Sequence, residues 1–184
     1  RLFNDTYGDC TMSTLITNTI QDVSTIKKSS SVTAATINSD GVMVRGKIPM
    51  LKVGISTATT INTGDRILFN TFSSSHVFDG EDNMSAFNTS NNNYTIPADC
   101  GGLWYISASL YSTTSNVNQL AIHIGGVRKD AIGNSGGASA FTQGSIIKRL
   151  SVGDVITMHG FCQSSTFTPQ PNAYHSWWQM SFLG

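Results

Sequence analysis

Hydrophobic and polar residues alternate along the second half of this chain. Between residues 103 and 111, Trp104, Ile106, Ala108 and Leu110 fall on one side, and Leu103, Tyr105, Ser107, Ser109 and Tyr111 on the other. Successive side chains of a strand point to opposite faces, so this period of two predicts a half-buried β-strand. A short strand around Tyr94 and a Pro/Gly turn, Pro97-Ala-Asp-Cys-Gly101, precede it. Leu120, Ile122 and Ile124 again share a face, and Gly125-Gly126 supplies the two positive-φ positions of a primed turn, which predicts a hairpin over 120–129. Residues 138–150 read as a longer strand, Ser151-Val-Gly-Asp154 as a turn, and 155–161 as the next strand. A loop holding Pro169 and Pro171 leads into a final strand over 176–183. No helical periodicity lasts beyond a turn or two. The pattern predicts an all-β antiparallel fold, a sandwich or a jelly roll.

The first 60 residues differ. They are rich in Thr, Ser, Ile and Val, and no aromatic follows Tyr7 in that stretch. β-Branched residues favour extended backbone, while small polar ones give little to bury. The expected organisation is an extended Ser/Thr-rich anchoring arm over 1–60 and a sandwich head over 61–184, with folded structure setting in between Pro49 and Gly64. Leu15, Ile16, Ile20 and Val23 are the arm's apolar anchoring candidates. The chain opens on Arg1 rather than Met, without the charged start and apolar middle of a secretory leader, and Met12 offers an alternative beginning.

Composition narrows the function. A chain of 184 residues can bury roughly 70% of its unfolded surface, so a core needs neither metal nor disulfides. Charged residues make up only 12%, with 11 basic against 11 acidic, so Ser, Thr, Asn and Gly carry solubility. No basic run exceeds two residues, which argues against nucleic acid. No apolar run is long enough to insert in a bilayer. Cys10, Cys100 and Cys162 form no CxxC pair. Buried thiols are the expectation, with a Cys100–Cys162 bridge the alternative.

Candidate chemistry is sparse. Asp79, Glu81 and Asp82 could offer oxygens to Ca²⁺, but their spacing departs from the Asp-x-Asp-x-Asp-Gly loop, so a solvated loop is expected and no cofactor. Gly133-Asn-Ser-Gly-Gly137 matches Gly-x-Ser-x-Gly around Ser135, yet it lies between β segments, without the strand-to-helix elbow that exposes a nucleophile. No enzyme activity is expected. His76, His123, His159 and His175 show no metal-ligand spacing. The latter pair of strand positions, His123 and His159, suits a sheet face or subunit contact, where titration could loosen an assembly. Trp177-Trp178 must point to opposite sides of a strand, so core or intersubunit packing outweighs sugar stacking. The sequons at Asn4, Asn83, Asn88 and Asn93 read as accidents of an Asn/Thr/Ser-rich composition.

Several segments carry a family likeness. Phe87, Tyr94, Gly102-Leu-Trp-Tyr-Ile106, Leu150-Ser-Val-Gly-Asp154 and Ser181-Phe-Leu-Gly184 resemble C1q/TNF-like domains. Trp104 stands at the family's Tyr position and Ile106 at its Phe position, while Ala98-Asp-Cys-Gly101 lengthens the turn. The resemblance implies a ten-stranded jelly roll that associates as a compact homotrimer. Tyr94, Trp104, Tyr105, Ile106, Trp177, Trp178 and Phe182 are the expected core and trimer-packing residues. No collagen Gly-X-Y repeat is present, and Met12-Ser-Thr-Leu-Ile-Thr-Asn-Thr-Ile-Gln-Asp22 resembles the opening of tailed-phage fibre and appendage proteins. That likeness implies a virion structural protein, of fibre, knob or capsid-decorating type. Its implied partners are capsid, portal, tail or fibre proteins, together with a host-surface glycan or protein met by loops 73–93, 132–140 and 164–174. The alternative is a secreted C1q/TNF-like recognition or lectin-like domain of a cellular organism.

Overall fold

The computed structural model describes residues 2–7, 10–15, 25–27, 33–37, 43–45, 48–74, 78–112, 117–134, 141–171 and 175–184. Ile16, Ile20, Val23, His76 and Ser135 lie outside them. The chain divides into two compact units, Arg1–Lys47 and Ile48–Gly184.

In the first unit, β1 (Leu2–Tyr7) pairs antiparallel with β2 (Cys10–Leu15), placing Leu15 opposite Leu2. A separate three-stranded sheet joins β3 (Thr25–Lys27), β4 (Thr33–Ile37) and β5 (Met43–Arg45) in that order. Short local pairings of this kind satisfy backbone N–H and C=O groups where the side chains offer little to bury.

The second unit holds fourteen strands among its described residues. The first seven are β6 (Met50–Gly54), β7 (Ile61–Asn62), β8 (Ser73–Ser74), β9 (Phe78–Asp79), β10 (Glu81–Asp82), β11 (Phe87–Asn88) and β12 (Asn93–Thr95). The rest are β13 (Gly102–Tyr111), β14 (Val117–Ile124), β15 (Val127–Asn134), β16 (Phe141–Leu150), β17 (Val155–Cys162), β18 (Thr166–Phe167) and β19 (Trp177–Phe182). Ten of them build two five-stranded sheets, ordered β10-β6-β19-β13-β16 and β11-β12-β17-β14-β15. Every pairing is antiparallel. The chain crosses between sheets from β13 to β14, returns from β15 to β16, and crosses again to β17, which is jelly-roll connectivity. No helix occurs among the described residues.

The core lies between the two sheets. Trp104, Ile106, Ala108 and Leu110 of β13 are fully buried, as the alternation predicts. From the facing sheet come Leu120, Ile122, Ile156 and Met158. Aromatic rings knit the interior. Trp104 lies 5.8 Å from Tyr94 and 5.3 Å from Phe182. Trp178 lies 6.0 Å from Phe69 and 5.7 Å from Phe87, and tilted or edge-on contacts of this kind suit the ring quadrupoles.

Two glycine sites shape the sandwich. Gly125 (φ +58°) and Gly126 (φ +80°) make the tight β14–β15 turn. Where β16 passes β15, a Cβ on Gly144 would sit 1.5 Å from the carbonyl oxygen of Ile132, so only glycine lets the sheets close at this edge. The Lys148–Asp130 ion pair (2.5 Å) spans the same edge. Cys100 and Cys162 are thiols rather than a bridge. Cys100 is buried with its Sγ on the carbonyl of Ala98, and Cys162 donates to Ser164 O at 2.8 Å.

Candidate functional site

Two surfaces of the head carry chemistry, one on the outward face of each sheet. The outward face of β6-β19-β13-β16 follows from strand register, since residues directly opposite one another share a face. Tyr105 sits between Ile147 and Ser181, and Ser181 in turn faces Met50. One row on, Ser107 lies between Ser145 and Gln179. Ser109 lies between Gln143 and Trp177, and Tyr111 faces Phe141. Tyr111, Phe141 and His175 form a ring cluster with centroids 4.9 to 5.2 Å apart.

Large apolar groups on this face meet solvent, including Ile147 at 59% exposure, Phe141 at 45% and Leu103 at 37%. Ser107 and Ser109 between them are buried, with Ser109 donating to the carbonyl of His175 at 3.1 Å, while Ser145 is exposed. Hydrogen bonds from Ser145 and Ser107 draw the Tyr105 hydroxyl below the usual phenol range. Charges occupy the margins: Lys52 opposite Glu81 on one side, and Arg149 opposite Leu103 on another. Apolar and aromatic groups thus flank a polar middle row, Ser145-Ser107-Gln179-Lys52, and leave hydrophobic surface exposed on both sides of it.

The outward face of the second sheet holds a pair of imidazoles. His123 on β14 and His159 on β17 stack with centroids 3.6 Å apart and planes within 8°. His159 Nδ1 lies 2.9 Å from Gly64 O, and its Nε2 lies 3.0 Å from the Thr157 hydroxyl. Because a carbonyl only accepts, Nδ1 carries the proton and Nε2 takes the hydroxyl's hydrogen. His123 bonds the backbone of Gly126, while its Nε2 is buried without a hydrogen-bond partner. Burial lowers both imidazoles below the ordinary histidine value. Arg128 depresses His123 further, and His123 and Arg66 depress His159. Arg128 also lies over the Phe161 ring, 4.5 Å from its centroid, and donates to Gln119 Oε1.

His159 forms one wall of a shallow groove of about 520 Å³, shared with Asn62, Asp65, Arg66, Ser90 and Asn92. Arg66 is held there by donation to the carbonyl of Asn91, and Asp65 accepts from Asn62 at 2.9 Å. A second hollow of about 670 Å³ lies against Met84, Phe87, Thr89 and Pro97, within and beside the 73–93 loop region.

The residues singled out from sequence divide between these layers. Tyr94, Trp104, Ile106 and Trp178 are buried in the core, with half-buried Phe182 packed on Trp104. Tyr105 and Trp177 stand on the outward face of the first sheet. Glu81 and Asp82 lie on β10, where Asp82 Oδ2 accepts from the Phe87 amide at 2.8 Å and pins the turn into β11. The side chain of Asp79 lies outside the described residues, among which no group of three His, Cys, Asp or Glu could hold a metal. No helix among the described residues is long and apolar enough to cross a membrane. Sequence reasoning placed His123 and His159 on strands but did not bring them together, because contact across neighbouring strands depends on register.

Neither a protein-family model nor a curated protein matches the sequence. Solved structures do match. The globular domain of zebrafish complement 1qA aligns over 75% of this chain and 98% of its own, at 14% identity and a TM-score of 0.54. The Eiger TNF of S. frugiperda aligns over 76% of this chain and 94% of its own, at 7% identity and a TM-score of 0.51. At these identities the likeness is one of fold. The head is an all-β, antiparallel jelly roll of C1q/TNF type.

Proposed function

We propose that this protein is a non-enzymatic recognition head that works as a homotrimer, with the N-terminal unit serving as its attachment. The observation that carries the reading is the outward face of β6-β19-β13-β16. Tyr105 and Ile147 on one side and Trp177, Tyr111 and Phe141 on the other flank a polar middle row, Ser145-Ser107-Gln179-Lys52, while Glu81 and Arg149 lie on the two edge strands. Water-facing apolar surface of this kind is what subunit association removes. The fold shared with complement and TNF heads supports the same arrangement. A paired substitution, Ile147→Asp with Trp177→Asp, places two carboxylates on that face without touching the core. Sedimentation velocity is expected to show a trimer for the wild type and a monomer for the variant, with circular dichroism unchanged. A wild-type monomer would end the reading.

The owner of the head is a further part of the proposal. The phage-like segment Met12–Asp22 supports a virion appendage or capsid-decorating protein. In that reading the arm docks on capsid, tail or fibre proteins and the outer loops meet a host-surface molecule. Peptides of this chain in mass spectra of purified virions are the expected result. The second reading, a secreted recognition head of a cellular organism, draws support from likeness to a zebrafish and an insect head. Recovery of the chain from conditioned medium, and not from particles, would favour it.

A further inference from the structure

Residues 61–67 run beside β17 and are held to it by a short set of contacts. The Gly64 amide donates to Gly160 O at 2.8 Å and the Ile67 amide to Met158 O at 2.9 Å. The Thr63 hydroxyl donates to Cys162 O at 3.2 Å. The Gly160 amide also donates to Asp65 O at 3.4 Å, the Cys162 amide to the Thr63 hydroxyl at 3.0 Å and the Thr63 amide to Ser165 O at 2.9 Å. The side-chain tie at the middle of the segment comes from His159, whose Nδ1–H reaches back to Gly64 O. That imidazole is stacked face to face on His123 at 3.6 Å.

Stacking this close suits two neutral rings. A proton on either makes a cation over the other ring, and a second proton sets like charges at contact distance. The proton entering His123 must sit on Nε2, which is buried and faces no acceptor. The charged groups around the pair deepen the effect. Arg128 approaches from β15 and Arg66 from the 61–67 segment, and the one opposing charge among the described neighbours is Asp65. Asp65 is shared with Asn62. Relief comes through separation of the rings, and the element His159 carries with it is the segment bonded to its Nδ1.

We propose that the His123–His159 stack is an acid-released latch, in which protonation parts the rings and loosens residues 61–67 against β17, the segment staying anchored at its ends by buried Ile61 and Ile67. Because Asn62, Asp65 and Arg66 ride on that segment, release also loosens one wall of the 520 Å³ groove. The inference does not depend on the trimer, since every group named belongs to one chain.

The sign follows from burial. Both imidazoles have folded-state values below 6.5. Their contribution to stability is therefore complete above that pH and is lost as pH falls through it toward the lowered values. Hydrogen exchange on the full chain reads the latch directly. On moving from pH about 7.5 to about 5, protection of the Gly64 amide is expected to fall about tenfold after correction for intrinsic rates. The Leu120 and Ile106 amides, in sheet centres, should hold. His123→Phe keeps a ring against His159 and removes one charge, so it should retain protection at the lower pH. His123→Gln, which removes the charge by a polar route, should behave the same way and covers failure of the Phe variant to fold. Unchanged wild-type protection at the lower pH, or an equal loss in both variants, would overturn the proposal.

Discussion

Tyr94 shows how far a single residue's role depends on its neighbours. Its ring is fully buried between the sheets against Trp104, and its hydroxyl is enclosed without a hydrogen-bond partner. Burial, with the Asp82 carboxylate adding to it, pushes the phenol far above its usual range. An enclosed hydroxyl that meets no partner loses its hydration without compensation. Tyr94→Phe is accordingly expected to raise unfolding free energy by about 1 kcal/mol, read from urea denaturation midpoints. A loss of similar size would mean that the hydroxyl is satisfied. The family resemblance implied a core or trimer-packing role for Tyr94, and its ring lies in the core. The stranded hydroxyl was not legible, because it depends on which side chains converge from β10, β12 and β13. The two tryptophans make a related point. Strand geometry alone says that Trp177 and Trp178 part company, and the β6 and β13 registers then assign Trp178 to the core and Trp177 to the outward face.

At the level of elements, local chemistry and long-range pairing differ in how openly the sequence displays them. The β14–β15 hairpin is local, and the Gly-Gly pair states it outright. Both glycines have positive φ and open space where a Cβ would stand, so backbone conformation rather than crowding sets the requirement. Gly125→Asn is expected to be near neutral, since Asn tolerates that region. Gly126→Val should cost about 1–2 kcal/mol. Thermal melts of the two variants separate these outcomes, and equal losses would point to crowding instead. The alternation of β13 was equally plain, because four fully buried side chains recur at every second position. What stayed hidden was partnership. Met50–Gly54 comes from the aromatic-poor first third of the chain, yet it forms the strand beside β19 and contributes Leu51 and Val53 to the core. The stack of His123 on His159 likewise arises from β14–β17 registry, which no spacing rule reveals.

For the whole molecule, the governing fact is an imbalance between faces. The interior is closed by rings and aliphatic side chains, yet the outward face of β6-β19-β13-β16 keeps Ile147, Phe141 and Leu103 in contact with water. The opposite sheet exposes Val127 at its hairpin but otherwise carries imidazoles, arginines and a polar groove. With charge at only 12% of residues, this chain has little to offset that exposed apolar surface by repulsion. In the proposed trimer, association through the apolar face would remove it from water and leave the groove and the loops around residues 84–97 outside. The proposed trimer would thereby place assembly and recognition on different sheets. Analytical ultracentrifugation of the full chain at micromolar concentration tests this assignment most directly. The account predicts a single species at three times the chain mass, and a chain that sediments as a stable monomer at that concentration would contradict it.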